Sequence, residues 1–150
     1  MESYKVIGTD HMAFTVSDMD RSVKMFCDVM GFSVVSDDRA GADLLETLTG
    51  IPAPVRYVYL RGADNHQVEL VQYFGPADRS RVQSRPCDTA AAHIAMRVDN
   101  VPAAVEAAKR AGMVPYNKIL SMADQSGRVE SAYMRDPDGL TIEFLSRPDF

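Results

Sequence analysis

Apolar positions recur along this chain with two periods, and the switches between them mark the elements. Met12, Phe14 and Val16 alternate with His11, Ala13 and Thr15, the two-residue period of a strand with one covered face. Val23, Phe26, Cys27 and Met30 then fall at i, i+3, i+4 and i+7, which predicts a helix capped by Asp18 or Asp20 and ended by Gly31. The same succession returns later: Ile94, Met96 and Val98 alternate with His93, Ala95 and Arg97. A second helix follows on Val101, Ala104, Val105 and Ala108, with Asn100 as cap, Pro102 in its first turn and Gly112 at its exit.

Each half closes in a predicted hairpin. Val55 to Leu60 and Gln67 to Tyr73 flank the turn-rich 61–66, and Val129 to Met134 and Leu140 to Leu145 flank Asp136-Pro137-Asp138-Gly139. Short strands near Phe32 to Val35 and Val114 to Asn117 complete a β-α-β-β-β unit in each half. The first half also carries an insertion, 41–49, whose Leu44, Leu45 and Leu48 predict a short helix ended by Gly50. Pro and Gly residues in 75–90 mark a linker. The expected organisation is one α+β domain over 1–150: module 1 at about 8–74, the linker at about 75–90 and module 2 at about 91–147.

The duplication singles out four residues. Asp10-His11-Met12-Ala13-Phe14-Thr15-Val16 lies over Ala92-His93-Ile94-Ala95-Met96-Arg97-Val98 at a constant offset of 82. In the hairpins, Glu69 is flanked by Val68 and Leu70, and Glu143 by Ile142 and Phe144. By strand parity, His11, Glu69, His93 and Glu143 all point away from the helix-covered face. A carboxylate there is costly unless it meets water, a proton or a cation. Two imidazoles and two carboxylates suit one divalent first-row metal, with Zn, Co, Ni, Mn and Fe all open. Thr15, Val71, Tyr73, Arg97, Thr141 and Leu145 share the same faces and are substrate-contact candidates. Tyr57 and Tyr59 share a face of the third strand, where they either line the site or pack as aromatics. His66 falls in a turn.

Composition narrows the function classes. With 150 residues, 46% hydrophobic and 25% charged, the chain can bury a core. Its net charge of -5 is spread along the sequence, which disfavours nucleic acid as a partner. No stretch is apolar for long enough to span a bilayer, and 1–10 lack the apolar run of a signal peptide. Cys27 and Cys87 form neither a disulfide framework nor a CxxC pair, so a cytoplasmic setting is expected, with Cys27 as a small core residue.

Through the two His-apolar-Ala segments, Gln67-Val68-Glu69-Leu70-Val71 and Asp136-Pro137-Asp138-Gly139-Leu140-Thr141-Ile142-Glu143-Phe144, the chain resembles the vicinal oxygen chelate superfamily. That superfamily includes glyoxalase I, methylmalonyl-CoA epimerase, extradiol dioxygenases and the fosfomycin and bleomycin resistance proteins. The resemblance implies paired modules forming a cupped mixed sheet around a metal site, helices on the outer face, and a homodimer. It maps the metal ligands onto His11, Glu69, His93 and Glu143. Fosfomycin enzymes place a His where Glu69 stands, so Glu69 points to the isomerase and lyase branches.

The implied function is a metal-dependent isomerase, an epimerase or racemase that abstracts a proton next to a carbonyl or thioester through a metal-stabilised enediolate. Glu143 is the first candidate base and Glu69 its counterpart, with Glu46 in the insertion as a candidate second base. A lactoylglutathione lyase is the alternative. Thr15 stands against it, since bacterial glyoxalases often use Arg at that place toward glutathione. A drug-binding protein and an Fe(II) extradiol dioxygenase rank below both.

Overall fold

The computed structural model describes residues 3–125 and 127–148, and it divides the chain into two compact units, 1–77 and 78–150. The first unit runs β1 (Met12–Thr15), α1 (Met19–Met30), β2 (Ser33–Ala40), α2 (Ala42–Thr49), β3 (Val55–Arg61) and β4 (Gln67–Tyr73). Its sheet has the order β1-β4-β3-β2, with β1 parallel to β4 and the other pairs antiparallel. The second unit runs β5 (His93–Arg97), α3 (Val101–Arg110), β6 (Val114–Pro115), β7 (Leu120–Asp124), β8 (Gly127–Arg135) and β9 (Thr141–Ser146). Its sheet has the order β5-β9-β8-β6, with β7 also paired to β8. Two copies of a mixed α+β unit are therefore present, each with a parallel pair formed by its first and last strands.

Local chemistry explains the boundaries. The Asp18 carboxylate accepts from the Arg21 N–H at 3.1 Å and starts α1, and Gly31 ends it at φ 73°, a left-handed conformation that glycine adopts without strain. The Asn100 side chain does the same for α3, accepting from the Ala103 N–H at 3.0 Å. Gln72 of β4 holds the entry to α1 from below: its Oε1 accepts from the Met19 N–H, and its Nε2 donates to the Ser17 carbonyl. The insertion forms the expected helix, α2, ended by Gly50.

The core of each unit lies between its long helix and one sheet face. In the first unit Met19, Met25, Phe26 and Met30 of α1 are buried with Val58, Leu60, Val68 and Leu70. Phe14, Phe26 and Phe32 meet in ring contacts. The buried stripe of α1 is displaced from the expected one: Met19, Ser22 and Met25 join Phe26 and Met30, while Val23 and Cys27 are only half-buried. In the second unit Val101, Val105 and Ala108 of α3 are buried with Ala132, Met134, Ile142 and Phe144. No helix of the described residues is long and apolar enough to cross a membrane.

Two strands differ from expectation. β2 continues to Ala40 rather than ending near Val35, with a register shift between Val34 and Ser36. In the second unit the expected strand to Asn117 stops at Pro115, and an unforeseen strand, β7, resumes the same edge along β8. The break has a local cause: the Asn117 side-chain oxygen accepts the Lys118 N–H, a bond that competes with the strand ladder. β7 is an edge strand whose short apolar alternation, Leu120 and Met122, is exposed and covers no core.

Asp136 shapes the turn into β9. Its Oδ1 accepts from the N–H groups of Asp138 at 2.8 Å and Leu140 at 2.7 Å. Burial pushes its pKa above the ordinary carboxylate value; the N–H donors oppose that rise and the Asp138 charge adds to it. Because the folded state holds this proton more tightly than the unfolded chain, the group's contribution is full below the unfolded pKa and is lost as pH rises through the raised one. Replacing Phe26 by Ala should cost about 3–5 kcal/mol in urea unfolding. Asp136→Asn keeps the acceptor oxygen, so its stability relative to the parent should increase from about pH 3.5 to pH 7. Parallel pH profiles for the two proteins would contradict that account.

Candidate metal and catalytic site

The uncovered face of each sheet carries the same set of side chains at the same register. In the parallel pair β1·β4, Ala13 lies beside Glu69, and in β5·β9, Ala95 lies beside Glu143. In both, the histidine is two residues before that alanine, which places it diagonally across the strand pair from the carboxylate. His11 Nε2 stands 3.2 Å from Glu69 Oε2, and His93 Nε2 stands 3.4 Å from Glu143 Oε2. The two glutamate side chains keep only 17% and 13% of their surface exposed, so they are poorly hydrated and depend on the neighbouring donors.

A tyrosine completes each set. Tyr59 is directly opposite Glu69 across β3·β4, and Tyr133 is directly opposite Glu143 across β8·β9. Each phenol faces its carboxylate across the ladder, and burial first, then the carboxylate charge, raises both phenol pKa values. The phenols therefore stay protonated beside the carboxylates. The imidazoles also meet these rings, with centroids 5.3 Å apart in both His11–Tyr59 and His93–Tyr133. Tyr133 was not singled out from the sequence. The missing signal was the second offset: Tyr59 to Tyr133 and Glu69 to Glu143 are both 74 residues.

The halves are not identical. Ser131 Oγ donates to Glu143 Oε1 at 2.7 Å, a bond that fixes this carboxylate from a further side. The place equivalent to Ser131 in the first unit is Tyr57, which packs edge-on against Tyr59 with centroids 6.1 Å apart. Asp10, mostly exposed, accepts from His11 Nδ1 at 2.8 Å. A carboxylate only accepts, so His11 Nδ1 carries a proton, which fixes the ring with Nε2 toward Glu69.

A histidine nitrogen this close to a carboxylate oxygen is bridged by a proton or by a cation. Two ligands about 2.0–2.2 Å from a tetrahedral or octahedral ion stand roughly 2.8–3.6 Å apart, a range that includes the separation in both pairs. The donor chemistry of each pair therefore fits a divalent metal. Each pair belongs to its own unit, and among the described residues no group of three or more His, Cys, Asp or Glu forms a metal cluster.

The other sequence candidates are distributed as follows. Thr15 and Arg97 are exposed on the faces of His11 and His93, and an Arg97 N–H donates to the Arg147 carbonyl. Val71, Tyr73 and Leu145 are half-buried. Thr141 is buried, with its hydroxyl 2.9 Å from the Tyr116 hydroxyl. Glu46 and His66 are exposed, on α2 and in the β3–β4 turn. Cys87 is exposed, and burial raises the thiol pKa of Cys27.

Against known proteins, the sequence model of the Glyoxalase/Bleomycin resistance protein/Dioxygenase superfamily matches residues 8–144. A lactoylglutathione lyase from Haemophilus influenzae is 28% identical over 90% of this chain and 89% of its own length. A 2-epi-5-epi-valiolone epimerase from an Actinomyces species is 32% identical over 67% of this chain and 56% of its own. A glyoxalase family protein from Bacillus cereus shares the fold with a TM-score of 0.85 at 15% identity, over 99% of both chains. The fosfomycin resistance protein FosX from Listeria monocytogenes, solved with Mn(II) and sulfate, gives 0.63 at 14% identity, over 95% of this chain and 93% of its own.

The hydroxyls beside Glu143 give a stability test. Ser131→Ala and Tyr133→Phe should each cost about 1 kcal/mol in urea unfolding. Since both act on one carboxylate, their double variant should depart from additivity by at least about 0.5 kcal/mol, and strict additivity would argue that they act separately.

Proposed function

Because this chain belongs to the Glyoxalase/Bleomycin resistance protein/Dioxygenase superfamily, we propose that it is a metal-dependent enzyme that moves a proton at carbon next to a carbonyl or thioester. Epimerisation or racemisation is the first reading. The observation that supports it most is the duplicated constellation: His11, Glu69 and Tyr59 recur as His93, Glu143 and Tyr133 at the same strand register. His11, Glu69, His93 and Glu143 would hold one divalent ion between them. Such an ion supplies fixed positive charge for the oxygen on which negative charge gathers when the neighbouring C–H loses its proton.

Glu143 is the proposed base. It takes the proton from carbon while the electron pair of the C–H bond moves toward the carbonyl. Ser131, through its hydrogen bond, and Tyr133, directly across the ladder, hold the carboxylate in one orientation for that transfer, which limits the reorganisation the reaction requires. Glu69, the equivalent group of the other half, returns a proton to the opposite side of the carbon, and the centre is inverted. Tyr59 plays for Glu69 the orienting part that Tyr133 plays for Glu143. A homodimer is the assembly we attach to this reading.

A second reading, a lactoylglutathione lyase reaction, is favoured by the near full-length match to the Haemophilus influenzae enzyme. It uses the same base but returns the proton to the adjacent carbon.

Metal-loaded protein incubated in deuterated water with α-substituted acyl thioesters should exchange the α-hydrogen, and Glu143→Gln should lower the rate by about 100-fold or more. Thioester formation from methylglyoxal and glutathione, with no α-exchange, would select the lyase reading. Failure of both assays would contradict the proposal.

A further inference from the structure

The two units depart from each other at two places, and both departures border one cavity. The edge strand β2 is continuous along β3, whereas its counterpart along β8 is divided into β6 and β7, leaving 116–119 between them. On the neighbouring strand, Tyr57 opposite Val71 in the first unit becomes Ser131 opposite Leu145 in the second. Ser131 has no ring to fill the space. What results is a cavity of about 300 Å³ within the second unit, lined among others by Tyr116, Asn117, Lys118, Leu120, Ser131 and Tyr133. Ser131 also hydrogen-bonds Glu143 and Tyr133 lies directly opposite it, so the cavity adjoins the proposed base.

The chemistry of the wall limits what it can take. The Tyr116 hydroxyl is fully used: it accepts from Arg135 Nε at 3.0 Å and from an Arg135 terminal nitrogen at 2.7 Å, and it pairs with Thr141. Arg135 also lies over the Tyr116 ring, 4.6 Å from its centroid, which makes that wall rigid. The Ser131 hydroxyl hydrogen is committed to Glu143. Lys118 brings the one positive charge among the described lining residues, and beside it the Asn117 side chain, whose oxygen accepts the Lys118 N–H, offers its N–H₂ as a donor. Among the described residues no carboxylate lines the cavity. A mostly apolar wall with a cation and an amide donor at one end favours an anion on a short carbon body.

We propose that this cavity seats the non-reacting end of the substrate and that this end carries an oxyanion held by Lys118 and Asn117. The substrate assignment rests on the function proposed above; the ion site itself stands on the cavity. The first half, with Tyr57 in place and β2 unbroken, lacks these two features, so the duplicated carboxylates would meet a substrate held from one side. One bound orientation then gives each carboxylate a distinct part in the reaction.

Succinate, inorganic phosphate and the neutral succinamide, each titrated into ¹⁵N-labelled protein, provide the test. Succinate or phosphate should saturate with amide shifts concentrated in 116–120 and 131–133. Tighter succinate marks a carboxylate end and tighter phosphate a phosphate end. Lys118→Met, at an exposed position, should weaken that binding at least tenfold, and Leu120→Trp should fill the cavity and abolish it. Shifts elsewhere, equal binding of succinamide, or no loss in Lys118→Met would overturn the proposal. Mn(II) titrated into the same samples separates the two ideas. Retained Mn(II) binding without an oxyanion in the cavity overturns only this inference, whereas oxyanion binding without Mn(II) binding overturns the proposed function and leaves the ion site standing.

Discussion

The structure turns on a carboxylate placed in the last strand of each unit, between neighbours that are fully buried on the strand's other face. Glu69 lies between Val68 and Leu70, and Glu143 between Ile142 and Phe144, all four of these apolar neighbours being fully buried. Strand parity leaves the glutamate no route to the core, and the surrounding strands limit its hydration. Each sheet answers with a tyrosine directly across the antiparallel ladder and a histidine diagonally across the parallel one. The parallel pairing of first and last strand is therefore a functional constraint as well as a topological one, because a one-residue slip would turn the histidine to the opposite face.

Much of this was legible in the sequence because the signals were periodic or duplicated. The strands bearing His11 and His93, the helices capped by Asp18 and Asn100, the inserted helix and both hairpins all follow from apolar spacing and turn residues. Parity gives the strand face of each histidine and glutamate, whereas the pairing of each histidine with the glutamate of its own half depends on the parallel register of first and last strands. Less legible were features that depend on contacts between strands. Tyr133 is defined by its partner Glu143, and its sequence neighbourhood, Ala132 and Met134, reads as an ordinary strand. β7 is an edge with both faces open to solvent over much of its length, so its short apolar alternation marks no buried face. Thr141 shares strand parity with Glu143, but the break after Pro115 brings Tyr116 onto its hydroxyl, which no local pattern announces.

The internal repeat also shows how a duplicated unit acquires direction. Glu69 and Glu143 occupy equivalent places, yet Glu143 has a serine hydroxyl on its carboxylate and a cavity beside it where the first unit has the Tyr57 ring on the matching strand position. Tyr57 and Ser131 mark the same strand position with opposite effects, one filling space with a ring and the other leaving room for a ligand. Two chemically similar carboxylates are thereby placed in different surroundings, which sets apart the proton-transfer roles proposed for them.

The central claim is that His11, Glu69, His93 and Glu143 act together on one divalent ion, although each structural pair is complete within its own unit. Metal stoichiometry and affinity of the protein and of its His11→Ala and His93→Ala variants decide it most directly. A single shared ion predicts one metal per chain, with either substitution lowering affinity by about 100-fold or more. Two ions per chain, each lost with only one of the histidines, would contradict the account and make the pairs independent sites.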